Sequence, residues 1–128
     1  MAKYIDGFVL VVPKGKAKAY KKMATEGRDV WMKHGALEYY ECMGEDLKPQ
    51  EMGEEKSLAF PKMANAKPSE NVWFSFIVFK SRSHRDEVNK KVMAEMNEKY
   101  KDMNPKDFSM PFDMKRMAYG GFSVEVEG

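Results

Sequence analysis

The sequence predicts an α+β fold in which one β-α-β unit occurs twice. Two apolar runs rich in β-branched and aromatic residues are each followed by a stretch of helical periodicity and then by another strand-like run. The first strands and the helices of the two halves are offset by nearly the same number of residues. That order is the ferredoxin-like split βαβ plan, which builds a four-stranded antiparallel sheet.

The first run, IDGFVLVVP (5–13), has the composition of a strand and is stopped by Pro13. After it, Ala17, Tyr20, Met23, Ala24, Gly27, Val30, Trp31 and His34 recur at i, i+3, i+4, i+7 spacing. They form one apolar helical stripe with lysines opposite, and Gly35 ends it. ALEYYECM (36–43) reads as the second strand, bounded by Gly44. VWFSFIVF (72–79) opens the second half as the most apolar strand. Over 81–103, Val88, Val92, Met96, Tyr100 and Met103 keep helical register, with Ser81 or Ser83 as cap and Asp86 and Glu87 in the first turn. KRMAYGGFSVEVE (115–127) reads as the last strand, with Lys115 and Arg116 starting it on opposite faces. Residues 44–71, rich in proline, glycine and acids, form a long irregular connection of the kind that is often functional or mobile. Within it SLAF (57–60) is a candidate edge strand or hairpin arm.

With 128 residues, one domain (1–128) is expected, large enough for its own core. Apolar residues at 43% and charged residues at 33% are ordinary for a soluble globular protein. The net charge is +2 with the signs interleaved, so no basic stripe favours nucleic acid. The single Cys42 forbids an internal disulfide and fits a reducing compartment. The start of the chain lacks the features of a signal peptide, and no window approaches the roughly 18 apolar residues of a membrane span. A cytoplasmic protein with no membrane partner is expected. No phosphate-binding glycine loop, nucleophile elbow or dinucleotide fingerprint is present, and His34, His84 and Cys42 lack zinc spacing. Neither a cofactor nor a metal is expected.

The strands carry a second message. Along 72–79, Val72, Phe74, Phe76 and Val78 point one way and Trp73, Ser75, Ile77 and Phe79 the other. In the first strand, Phe8, Leu10 and Val12 oppose Ile5, Val9 and Val11. Two helices cover one face of such a sheet, so both faces read as buried and something must cover the second. At about 25 cal/mol per Å2, leaving it wet would forgo many kcal/mol. A closed two-fold homodimer is the simplest cover.

The segments YIDGFVLVVP, NVWFSFIVFKSRSHRDEVNKKVM and MPFDMKRMAYGGF resemble the YbaA-like family of bacterial proteins over nearly the whole chain, apart from a lengthened 44–71 connection. The resemblance implies a dimeric α/β barrel, a superfamily that holds cofactor-independent monooxygenases, haem-handling enzymes, isomerase-like enzymes and plain ligand binders. One departure is visible: Met114 stands where the motif is expected to hold Gly, placing a bulky side chain on that turn.

Each candidate residue has a structural and a functional reading. Met110-Pro111-Phe112-Asp113 reads as a turn, in which an Asp113–Arg116 pair pins the edge strand or Arg116 grips an anion. His34 is a helix-end histidine bonded to a backbone carbonyl, or a general base near Glu41 or Asp6. Asp6, Glu38, Glu41, Ser75 and Arg116 fall where water is scarce. Asp6 or Glu41 pairs with Arg116 as structure, or these groups converge on a small polar site in an apolar pocket. Cys42 reads as a buried small hydrophobe.

The leading functional reading is a homodimer binding a small, partly apolar organic molecule in a sheet-lined cavity, with Arg116, Asp113, Ser75 and Tyr119 as candidate ligand contacts. The alternative is a cofactor-independent monooxygenase- or isomerase-like enzyme in the same cavity, with His34, Asp6 and Glu41 as catalytic candidates. A third, RNA binding through Arg82, Arg85, Lys90 and Lys91, is opposed by the near-neutral charge.

Overall fold

The structure, a computed structural model, describes residues 2–49 and 51–128. Strand β1 (Tyr4–Pro13) leads through a 3-10 turn at Lys14–Lys16 into helix α1 (Ala17–Lys33) and strand β2 (Glu38–Met43). The connection carries a two-residue hairpin, β3 (Glu51–Met52) with β4 (Glu55–Lys56), and a single helical turn, α2 (Phe60–Met63). Strand β5 (Glu70–Phe79), helix α3 (Arg82–Lys99) and strand β6 (Ala118–Ser123) complete the order. The main sheet is antiparallel, in the order β2-β5-β1-β6, which is the ferredoxin-like arrangement of an α+β fold.

Local chemistry fixes the boundaries. Gly35 takes φ +111° just beyond α1, a left-handed conformation that closes a helix. The Ser81 hydroxyl accepts the His84 N–H at 3.1 Å and caps α3. The first turn of α3 contains no acid, so Asp86 and Glu87 fall beyond it.

Register decides what the helices cover. Phe8, Ser75, Glu41 and Tyr119 make one cross-strand row, and Asp6, Ile77, Tyr39 and Gly121 the next. Both rows face α1 and α3. Leu10, Val12, Tyr20, Ala24, Trp73 and Phe112 form one apolar cluster beneath α1. Val30, Ala36, Ile77, Phe79, Val88 and Val92 form a second between α1 and α3. The opposite face carries Ile5, Val9, Phe74, Phe76, Tyr40 and Phe122. Among the described residues its centre lacks cover: Phe74 is 44% exposed and Phe122 61%, while Val11, Val72 and Val78 toward its ends are buried. The second apolar face, which the sequence expects a partner to cover, is thus largely bare within one chain.

Other expectations are corrected. Lys115 and Arg116 do not start the last strand; they sit in a 3-10 turn, Met114–Arg116, and β6 begins at Ala118. Residues 57–60 are loop and the start of α2, while the short hairpin lies just before them. Cys42 is exposed, because its place in β2 turns it to the uncovered face. No helix among the described residues is long and apolar enough to cross a membrane.

Candidate functional site

Between the sheet and the helices lies a cavity of about 470 Å3. Its floor is the covered face of the sheet: Phe8 and Leu10 from β1, Tyr39 and Glu41 from β2, Ser75 and Ile77 from β5. Helix α1 contributes Tyr20, Met23, Gly27 and Trp31, and α3 contributes Met93 and Met96. The chain after α3 supplies the roof with Phe108, Met110, Phe112, Met114 and Met117. Phe112 anchors this roof, buried with its ring edge-on to Tyr20 at 5.6 Å. Met114, where the family motif was expected to hold Gly, is half exposed and lines the cavity.

The polar feature of the floor is Glu41. The Tyr20 hydroxyl donates to its Oε2 at 2.8 Å and the Tyr39 hydroxyl to its Oε1 at 2.9 Å. Tyr39 and Glu41 are two residues apart in a strand and so share a face, while Tyr20 reaches down from α1. Burial, and then the Glu41 charge, push both phenols well above their usual range, so both remain protonated donors. Ser75 is buried directly opposite Glu41 in the register. On the outer side, a second hollow of about 420 Å3 shares Ala24, Tyr39 and Glu41 and adds Lys21, Arg28 and Trp73. The Trp73 indole nitrogen is buried there without a hydrogen-bond partner.

Of the catalytic and ligand-contact candidates named from sequence, Glu41 and Ser75 reach the cavity, whereas Asp6, His34, Asp113, Arg116 and Tyr119 do not line it. Asp6 is buried and accepts Arg85 Nη1 at 2.6 Å and Asn89 Nδ2 at 3.3 Å. The same Arg85 nitrogen donates to the Tyr119 hydroxyl at 3.0 Å, and the guanidinium lies over the Tyr4 ring. Asn89 in turn accepts the Trp31 indole N–H at 3.0 Å. This network ties α3 to β1, β6 and α1. Arg85 is therefore turned inward, which removes it from the basic surface expected on α3. His34 bonds Glu95 of α3 at 2.8 Å, not a backbone carbonyl and not Glu41 or Asp6. Lys33 and then His34 hold the Glu95 carboxyl below its ordinary range.

Arg116 makes no side-chain hydrogen bond to Asp6, Glu41 or Asp113, although the Asp113 charge is near enough to favour its cation. It forks onto Glu70 at 2.6 and 3.0 Å and donates to the Asn65 carbonyl at 2.8 Å, stapling the 3-10 turn to the start of β5. Asp113 caps that turn by accepting the Lys115 N–H at 3.0 Å. Composition and periodicity do not mark Tyr20 and Tyr39 as site residues. The alternation Tyr39-x-Glu41 in β2 was the signal that could have found one of them.

Fold and cavity together define an α+β protein of the ferredoxin-like class with a hollow between its sheet and its helices. Residues 3–114 match the family described as "Protein of unknown function (DUF1428)", and the chain belongs to that family. It is 39% identical over 127 residues to the uncharacterized protein YbaA of Escherichia coli (strain K12), covering 98% of each chain. Its identity and coverage with YbaA of Shigella flexneri are the same. A dimeric ferredoxin-like protein from an uncultured marine organism, known from a crystal structure, is similar in fold with a TM-score of 0.56. The two are 10% identical, and the match covers all of both chains.

Proposed function

We propose that the protein is a homodimer that binds a small, partly apolar organic molecule in the cavity between sheet and helices. The observation that supports this is an apolar hollow of about 470 Å3 with one oriented carboxylate in its floor. That is the composition of a small-molecule site, in which apolar walls supply affinity and a few placed polar groups supply orientation. Binding is favoured over catalysis by the fate of the three catalytic candidates. His34 and Asp6 are engaged elsewhere, and Glu41 already accepts a hydrogen bond on each oxygen. Native mass spectrometry of gently purified, untagged protein tests the reading. Bound mass beyond the polypeptide is expected. Protein without added mass that also fails to take up 2-naphthalenemethanol would refute it.

Dimerisation rests on a separate observation, the uncovered apolar face of the sheet. Ile5, Gly7, Phe74, Phe76 and Phe122 line a hollow there with no polar surface. A second copy presents the same patch and covers it by symmetry. The marine protein of similar fold is itself described as dimeric. Sedimentation should give a mass of twice 14.8 kDa, and Phe74→Asp with Phe122→Asp should return a monomer. A wild-type monomer at micromolar concentration would sink this part of the reading.

A further inference from the structure

The cavity walls are unbalanced in charge and in hydrogen-bonding capacity. Among the described residues that line it, the charged ones are Glu26 and Glu41, and there is no lysine, arginine or histidine. The donors in its walls are largely spent. The Tyr20 and Tyr39 hydroxyls point at Glu41, the Trp31 indole N–H at Asn89, and the Tyr100 hydroxyl at Glu26 at 3.5 Å. Acceptors are in surplus. Each Glu41 oxygen takes one phenol and keeps a further lone pair, and six methionine thioethers add weak acceptors. The rings of Phe8, Trp31 and Phe112 line the same space, and an aromatic face carries negative π density. The basic residues Lys21 and Arg28 line the neighbouring hollow and not this one, and Arg28 pairs with Asp29 at 2.9 Å.

Resting on the binding reading above, we infer that the cavity selects a ligand whose polar end is a hydrogen-bond donor, an amine above all. Carboxylates and other anions are excluded. An ammonium set against Glu41 gains a charge-assisted bond in a poorly hydrated site and can face an aromatic ring. A hydroxyl gains a neutral donor's bond to the same carboxylate. A carboxylate placed there meets Glu41 as a like charge, and Ser75 is the one donor of the floor not already committed to Glu41.

Three probes with one apolar body separate the two levels of inference: 2-naphthylmethylamine, 2-naphthalenemethanol and 2-naphthoate. Titration calorimetry on the intact protein at neutral pH should rank amine, alcohol, acid. The amine should be tighter than the alcohol by about ten-fold or more, the scale of one charge-assisted bond. Glu41→Gln should weaken the amine more than the alcohol and so remove that advantage. Acid binding as tight as amine binding overturns the inference, while alcohol binding keeps the cavity reading alive. Binding of none of the three overturns both. If Glu41→Gln does not fold, the wild-type ranking still decides.

Discussion

Gly27 offers a test of how the site is built. It lies buried in the middle of α1, where glycine costs about 1 kcal/mol relative to alanine. A β-carbon there would stand 3.0 Å from the Tyr39 hydroxyl and 3.7 Å from the Trp31 ring. Gly27 therefore makes room for the hydroxyl that orients Glu41. Gly27→Ala should gain about 1 kcal/mol of helix propensity and displace Tyr39 from a bond to a charged group worth about 1.5–3 kcal/mol. The net effect is a loss of about 0.5–2 kcal/mol, or about 2–8 °C in Tm for a chain of this length. In a Tyr39→Phe background the obstructing oxygen is gone. The same Gly27→Ala change should then raise Tm by about 4 °C. Thermal melts followed by circular dichroism at one fixed protein concentration give all four corners of the cycle. If Gly27→Ala stabilises both backgrounds equally, the Tyr39–Glu41 bond does not hold the site as described.

The other predictions concern the framework. Arg85→Leu leaves Asp6 buried without its cation, with Asn89 at 3.3 Å and the Tyr119 hydroxyl as donors, and should cost about 3–5 kcal/mol in urea unfolding. Asp6→Leu combined with Arg85→Leu should recover most of that, and a single-variant loss under about 1 kcal/mol would mean that water reaches Asp6. The Arg116 bond holds the Glu70 carboxyl at about 2, against an ordinary 4.5. A depressed carboxyl stabilises the fold above its unfolded value and loses that contribution as pH falls through its folded one. Glu70→Gln should therefore flatten the fall in stability between about pH 4.5 and 2, and identical slopes in both proteins would count against the pair. Ser81→Ala removes the α3 cap and should lower stability by about 1 kcal/mol, read by the same unfolding assay.

The strands and helices were legible because period and punctuation agreed. Pro13, Gly35 and Ser81 sit at or beside the boundaries that their chemistry dictates. The pairing of charges was not legible. Asp6 lies 79 positions from Arg85, and Arg116 lies 46 from Glu70. Nothing local distinguishes these partners from the Asp6–Arg116 or Asp113–Arg116 pairs that look equally reasonable on paper. The competing principle at Arg116 was the turn: a 3-10 segment at 114–116 rotates its side chain away from the strand register assumed for it. Cys42 is exposed rather than buried because β2 is an edge strand and Cys42 lies on its face turned away from the helices.

The cavity follows from a break in the internal repeat. After α1 the chain returns to the sheet within four residues, 34–37, whereas after α3 it travels from 100 to 117 first. That longer return drapes Phe108, Met110, Phe112, Met114 and Met117 over the sheet. The floor is held by strand pairing and by two tyrosines fixed on one carboxylate, so its polar geometry is set before any ligand arrives. The roof is irregular chain bearing unbranched methionines, which repack at low cost. On the proposed reading, the two halves of the cavity divide the work of recognition. Floor substitutions such as Glu41→Gln should change which head groups are accepted, and roof substitutions such as Met117→Leu should change which apolar bodies fit. A roof variant that altered the ranking of amine over acid would break that division.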